Sequence, residues 1–259
     1  MNFSKIPISC YIITKNESRK IEEVLNSISS LVEEIIIIDS GSSDNTIQIA
    51  KELGAKVVFN KWDGYGKQKR FGENICKNDW VLNLDGDEVV SSELAKEIRN
   101  VFKKKQNEEF NLFSIRRNNI FPFGKKAYSM SGDNVIRLYR KSIVRYPDHP
   151  TWDKIKTPNN QKVKFLKGVI YHYWMKDFEH QISKMNGYTS SLALHSPKKT
   201  MLSLTIRMIF GFQFDFLKAY ILRHHWMHGR YGFAVSMLYA FTRFMRVIKM
   251  MEKLLIKNN

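Results

Sequence analysis

The stretch "VLNLDGDEVV", Val81 to Val90, drives an apolar run into Asp85, Asp87 and Glu88 around Gly86. Like charges at such spacing repel, so something must offset them. A divalent cation with oxygen ligands is one answer. A solvated turn ahead of the next helix is the plainer one. Two further polar clusters follow apolar runs: Thr14-Lys15-Asn16-Glu17 after "CYII", and Asp39-Ser40-Gly41 after "IIII". Glycine-rich phosphate loops are absent: there is no GxxxxGK[ST], and no GxGxxG between a first strand and a helix.

The groups in these clusters suggest a ligand. Thr14, Asn16, Glu17 and the isolated Asp39 suit a nucleobase edge and ribose hydroxyls, where an acceptor meets N–H or O–H. The Asp85-x-Asp87 pair suits Mg²⁺ or Mn²⁺ bridging two phosphates, because a hard cation prefers carboxylate oxygens. Together they read as a nucleoside-diphosphate site.

The elements that must position these groups alternate. "ISCYIITKNE" and "EEIIIIDSGSSDNT" read as buried parallel strands running into polar loops, "AKVVFN" as a short third strand and "WVLNLD" as a fourth. "SRKIEEVLNSISSL" has helical spacing with Ile21, Val24, Leu25 and Ile28 on one face, Asp44 reads as the N-cap of "NTIQIAKEL", and a helix-like stretch follows the acidic motif. Strand and helix in alternation predict an α/β doubly wound sheet, with ligands outside the carboxyl ends of the strands. After Phe110, "NLFSIRRNNIF" and "NVIRLYRKSIVRY" read as an antiparallel continuation, "VKFLKGVIYHYW" as another strand, and "DFEHQISKMNGYTSSLALH" as a helix. The expected division is a nucleotide-binding half over 1–110, an acceptor half over 111–195 and a basic amphipathic helical extension over 196–259.

With 259 residues and 43% hydrophobic content the chain can bury one large domain plus an appendage. Cys10 and Cys76 are far apart and read as core residues, which fits a reducing cytosol. The start "MNFSKIPISC" has no signal-peptide pattern. The formal charge of +17 implies an anionic partner, and residues 196–259 hold eleven Lys or Arg against two acids.

"CYIITKNE", "IIIIDSGSSDNT" and "VLNLDGDE" resemble the three signature segments of family 2 glycosyltransferases, the inverting GT-A enzymes. "SGDNVIRLYRKS", "TWDKIKT", "GVIYHYW", "KMNGYT" and "RHHWMHGRYGF" resemble bacterial enzymes that add glucose or a related hexose to the lipopolysaccharide core. The resemblance implies a GT-A, Rossmann-like, mostly parallel sheet flanked by helices, with a C-terminal helical extension. It implies a UDP-sugar donor, a glycan or glycolipid acceptor and a divalent metal. Thr14, Asn16 and Glu17 would line the nucleoside pocket, and Asp39 would hold the base or ribose. Lys67 and Arg70 stand where the family places donor contacts. Asp85 would touch ribose or metal, Asp87 would ligate the metal, and His172 would approach the metal or pyrophosphate from the far side. Asp153 and Asp133 are the candidates for the base that deprotonates the acceptor. Asp153 is preferred, since it aligns with a glutamate of the relatives, although those often read His-Glu where this chain has Trp152-Asp153.

Three other readings compete. A nucleotidyltransferase would need a Gly-rich phosphate loop after the first strand, and "TKNESRK" has no glycine. A nucleic-acid-binding protein would suit the charge, but no such module is recognisable, so nucleic acid is not an expected partner. A polypeptide acceptor is the nearer rival. In "FAVSMLYAFTRFMRVIKMMEKLLIK", Arg243, Arg246, Lys249, Lys253 and Lys257 recur at spacings of three or four, beside Phe241, Phe244, Met245, Ile248, Met251 and Leu255. The expectation is a helix lying on an anionic membrane surface, the enzyme being peripheral on the cytoplasmic face, or the same helix packing on the domain with its charges solvated.

Overall fold

The computed structural model describes residues 4–130, 132–150, 152–197 and 199–258, with Lys257 and Asn258 described by their backbone alone. Two compact units make up the chain: Met1–Asn119 with Gly132–Trp174, and Ile120–Ser131 with Met175–Asn259. The second unit resumes at Met175, so it takes in the helix "DFEHQISKMNGYTSSLALH" that the expected division placed in the acceptor half.

The first unit opens as expected, with β1 (Ile6–Thr14), α1 (Ile21–Ile28), β2 (Val32–Asp39), α2 (Thr46–Glu52), β3 (Lys56–Phe59), α3 (Tyr65–Ile75) and β4 (Trp80–Asp85). A short β5 (Glu88–Val90) then precedes α4 (Ser92–Lys103), α5 (Gln106–Glu109), β6 (Leu112–Asn119), β7 (Asp133–Arg140) and β8 (Val163–His172). The sheet order is β3-β2-β1-β4-β7-β6-β8-β5. β1 to β4 are mutually parallel, β7 runs against both neighbours, β6 and β8 are parallel, and β5 closes the edge antiparallel to β8.

The apolar runs explain the layers. On β1, Ile8, Cys10 and Ile12 join Ile21, Val24, Leu25, Leu94 and Ile98 of α1 and α4 on one face of the sheet. Tyr11 and Ile13 point the other way, toward Cys76, Tyr139, Val144 and Tyr146. This alternation with both faces covered is the signature of a buried central strand. The cap assignment shifts by one: Asn45 precedes α2, and Asp44 accepts hydrogen bonds from the Thr46 N–H at 3.0 Å and the Ser18 N–H at 3.1 Å. Asp44 thus joins the loop after β1 to the start of α2.

β5 sets the shape of the sheet. Only Gly86 and Asp87 separate β4 from β5, yet three strands lie between them in the hydrogen-bonded order. Four strand spacings in a flat sheet would be roughly 19 Å, whereas three Cα–Cα steps reach about 11 Å at most. The sheet therefore curls until its last strand returns to the end of β4. Its point of closure is the acidic turn.

The second unit contains α6 (Phe178–His195), α7 (Met201–Leu217), a π-helical turn over Lys218–Leu222, a 3₁₀ turn over His225–His228 and α8 (Gly229–Asn258). Leu204, Val247 and Met250 form its core with Ala193. The basic stripe expected along α8 is partly turned inward. Arg243 Nε lies 3.3 Å from Asp215, and Lys249 Nζ donates to the Asn186 carbonyl at 2.8 Å and to Thr189 Oγ1 at 2.9 Å. The side chain of Lys257 lies outside the described residues. Among the described residues no helix is long and apolar enough to cross a membrane.

Candidate active site

Parallel pairing brings the three polar clusters to one rim. Thr14 is the register partner of Asp39 on β2, and Ile13 that of Asp85 on β4. The Gly86 N–H donates to the Ile13 carbonyl at 3.0 Å. A Cβ on Gly86 would stand 2.9 Å from Glu17 Cγ and 3.0 Å from Thr14 Cγ2, so this turn can nest against the loop after β1 only as glycine.

The nucleoside candidates are tied to one another. The Asn16 N–H donates to Ser42 Oγ at 2.8 Å, and Asn16 Oδ1 accepts from the Ser43 N–H at 2.8 Å. The Glu17 N–H donates to Thr46 Oγ1 at 2.8 Å. Asp39 is 1% exposed and faces inward. Its Oδ1 accepts from the Gly41 and Ser42 N–H groups at 2.8 Å, and its Oδ2 from Thr14 Oγ1 at 3.1 Å. Asp39 thus orders the loop after β2 at the strand end where it stands beside Thr14.

The carboxylates of the acidic turn differ in their partners. Asp85 is pinned between two cations: Lys69 Nζ at 3.3 Å from Oδ1 and Arg137 Nη2 at 3.0 Å from Oδ2. Burial alone would raise its pKa, but Lys69 and Arg137 outweigh burial and hold the carboxyl well below the usual range. Glu88 is fully buried and pairs with Arg137, with Arg117 at 3.5 Å. Arg137 also donates to Asn83 and so ties β7 to β4. Asp87 stands apart. Its Oδ1 faces His172 Nε2 at 3.6 Å, beyond hydrogen-bonding distance. His172 Nδ1 lies 2.8 Å from Asn119 Oδ1; that oxygen is an acceptor, so Nδ1 carries the proton and Nε2 presents its lone pair toward Asp87. Burial pushes the His172 pKa down despite the nearby carboxylates, which favours this neutral form.

Lys67 and Arg70, the donor-contact candidates, lie on α3, and the residue of that helix that meets the acidic turn is Lys69. Lys67 is exposed and pairs with Asp63 at 2.5 Å, while Arg70 Nε lies 3.9 Å from Glu73. Neither is paired with the acidic turn. Lys69 is 1% exposed. Burial opposes its charge, yet Asp85 more than compensates and its pKa lies above the ordinary value. It also lies 3.2 Å from Asp153. That approach depends on Gly66, whose Cβ would stand 2.4 Å from the Trp152 carbonyl and 2.5 Å from that of Pro147. Glycine at the start of α3 thus lets the segment before Asp153 lie against the helix. Asp133 lies at the exposed start of β7, with its side chain 77% exposed and 3.5 Å from Arg117, the cation that also approaches Glu88.

The site thus gathers Asp85, Asp87, His172 and Asp153, with Lys69, Arg137, Arg117 and Asn119 added. The added residues left faint signals. Lys69 shares a helical face with Gly66 and Glu73, at spacings of three and four. Arg137 alternates with Tyr139 on a face of β7 whose residues are both buried.

Among the described residues no three His, Cys, Asp or Glu side chains form a preformed metal cage. The fit of a divalent cation rests on two groups. Asp87 and His172 present lone pairs to each other with no hydrogen between them, and hard cations commonly take one or two protein ligands and complete their shell with substrate phosphates. The donor set fits such an ion.

An acidic strand end on the rim of a curled α/β sheet is where such folds place their ligands, and a divalent cation with a phosphate group suits its donors. Residues 9–179 match the model of "Glycosyl transferase family 2". An uncharacterized glycosyltransferase of Rickettsia typhi is 35% identical over 97% of this chain and 89% of its own length. The lipopolysaccharide core biosynthesis glycosyltransferase LpsC of Rhizobium meliloti is 24% identical over 98% and 95%. A solved structure of glucosyl-3-phosphoglycerate synthase from Mycobacterium tuberculosis, in complex with Mn²⁺, UDP and glucosyl-3-phosphoglycerate, is 26% identical over 44% of each chain, with a TM-score of 0.35. The chain belongs to glycosyl transferase family 2.

Proposed function

We propose that the protein transfers a hexose, glucose from UDP-glucose being the first candidate, to a lipopolysaccharide-core or other glycan acceptor with inversion at the anomeric carbon. The observation that carries this reading is the asymmetry of the acidic turn. Asp85 and Glu88 are neutralised by Lys69, Arg137 and Arg117, while Asp87 is left facing the Nε2 lone pair of His172. A turn that served only structure would have its third carboxylate paired or solvated like an ordinary surface acid. The likeness to LpsC along nearly its whole length supports the acceptor class.

The residues divide the work. Thr14, Asn16 and Glu17 border the nucleoside, and Asp85 faces ribose or metal. Asp87 and His172 hold a divalent cation, Mg²⁺ or Mn²⁺, which when bound neutralises charge on the diphosphate leaving group. Asp153 accepts the proton of the acceptor hydroxyl as its oxygen bonds to the anomeric carbon and the carbon–oxygen bond to UDP breaks. Lys69 fixes Asp153 relative to Asp85. One carboxylate base suffices for a single displacement with inversion. An acceptor of this class is held at a membrane, so the enzyme works as a peripheral protein on the cytoplasmic face.

The test is a panel of UDP- and GDP-sugars incubated with the full chain, with nucleotide release measured with and without Mn²⁺ or Mg²⁺. Metal-dependent release from UDP-glucose, increased by lipopolysaccharide-core acceptors, is expected. Release from no sugar nucleotide, or equal release in EDTA, would overturn the reading.

A further inference from the structure

A stripe of large apolar side chains runs along α7 and into the π-helical turn, uncovered by any of the described residues. Leu202, Ile206, Phe210, Phe214, Leu217 and Ile221 are each at least 50% exposed. At about 100° per residue, those on α7 fall within an arc of roughly 120°. Core contact is on the opposite side, where Leu204 is fully buried. Phe214, Leu217, Lys218, Ile221 and Leu222 also line a hollow of about 250 Å³. Single exposed apolar residues need no explanation, but a contiguous face of this kind marks an interaction surface.

Charge decides the partner. Arg207 and Lys218 follow just beyond one edge of the arc, and Lys218 Nζ lies 5.9 Å from the Phe214 ring. Asp215 and Glu252 are the two acids between Ser196 and Asn259. Asp215 is 14% exposed and bound to Arg243, so it offers the stripe no negative charge. Slight desolvation and then the charges of Arg207, Arg246 and Arg243 lower the pKa of Lys199, as expected where cations outnumber the single carboxylate of Asp215. A second copy seated antiparallel on this face by a two-fold axis would bring its Lys218 opposite Arg207, cation against cation. An anionic lipid surface supplies both missing components: acyl chains for the stripe and headgroups for its border.

We infer that α7 and the turn after it, rather than the basic stripe of α8, are the surface by which this protein docks on an anionic bilayer. The inference extends the proposal of a membrane-held acceptor. Vesicle binding is measured without donor or acceptor, so failure of transfer and failure of docking are separable.

The experiment uses the full chain and vesicles of phosphatidylcholine alone or with roughly one-third phosphatidylglycerol. Wild type should sediment with the anionic vesicles, and less at high salt. Ile206→Ser, Phe210→Ser and Phe214→Ser combined should weaken binding about tenfold or more. Arg207→Gln and Lys218→Gln should each weaken it about fivefold. A Phe214→Cys variant gives a second measurement independent of the serine variant's folding, since Cys10 and Cys76 are buried. An environment-sensitive label on that thiol should shift to the blue with anionic vesicles and be quenched by lipid-borne quencher, while a label at Lys51→Cys on α2 should not change. The inference is overturned by an unaltered label at position 214, by undiminished binding of the serine variant, by wild type failing to bind anionic vesicles, or by a wild-type dimer in light scattering that the serine variant dissociates.

Discussion

The ammonium of Lys69 on α3 lies 3.2 Å from the carboxylate of Asp153, a residue 84 positions further along the chain. The same ammonium is 3.3 Å from Asp85. One buried cation therefore couples the metal-side motif to the candidate base. Lys69→Gln should cost about 1–3 kcal/mol of stability, because it removes one of the two cations on Asp85 while Arg137 keeps the other oxygen paired, and Lys69→Arg should recover part of it. Denaturant unfolding of both variants checks this.

Asp153→Asn should lower kcat about a hundredfold or more, the range of a positioned base, and leave donor affinity near wild type. Asp133→Asn, at an exposed strand start, should stay within a few-fold of wild type. Steady-state kinetics with donor titrations decide. A silent Asp153→Asn beside a dead Asp133→Asn would reverse the assignment.

Asp87→Ala should abolish transfer while leaving the melting temperature nearly unchanged, because the carboxylate has no hydrogen-bonded partner to strand. His172→Ala should raise the Mn²⁺ concentration needed for half-maximal UDP binding by about tenfold or more. Calorimetric titration of UDP at several metal concentrations reads this directly. Full activity of wild type in EDTA would exclude the metal role of both residues.

Gly86→Ala introduces a methyl group 2.9 Å from Glu17 Cγ. Such overpacking costs about 1–3 kcal/mol, and relieving it pushes the loop after β1 away from the acidic turn. Both stability and donor affinity should fall together. A variant with weakened stability but wild-type affinity would show that the nesting of the two loops is not what orders the donor site.

His225 is buried against Ser236 at 3.1 Å, and burial followed by Arg223 and His228 lowers its pKa from 6.5 to about 4. Protonation therefore favours the unfolded chain. Stability from this group is fully present above pH ~6.5 and is lost as pH falls toward ~4, by roughly 2–3 kcal/mol across that window. His225→Gln should flatten the pH dependence of melting between those limits relative to wild type. Parallel slopes for the two proteins would refute the assignment.

The acidic motif and the strands were legible because their signals are local. Asp85 and Asp87 are two residues apart, and β-branched runs mark β1, β2 and β4. What escaped reading depends on distance or on angle. Arg137 meets Asp85 across 52 positions, and no periodicity in either segment announces the pair. Lys67, Lys69 and Arg70 have equivalent chemistry, but each step along a helix turns the side chain by about 100°; only Lys69 faces inward. The strand β5 is three residues long and begins inside the acidic cluster, so its pairing with β8 had no compositional mark. On α8, the regular stripe of cations was visible, but the acceptors on α6 that bind Lys249 were not.

The curl of the sheet has a consequence for how the chain is made. Glu88 leaves the ribosome with the first third of the protein, while its counterions Arg117 and Arg137 follow only later. A nascent chain or truncated fragment ending near residue 110 lacks β7 with Arg137 and also β8, the strand that pairs with β5, so Glu88 would stay in water. The acidic turn can therefore take its buried, ion-paired form only once β7 and β8 have joined the sheet, so its completion waits for the second half of the unit.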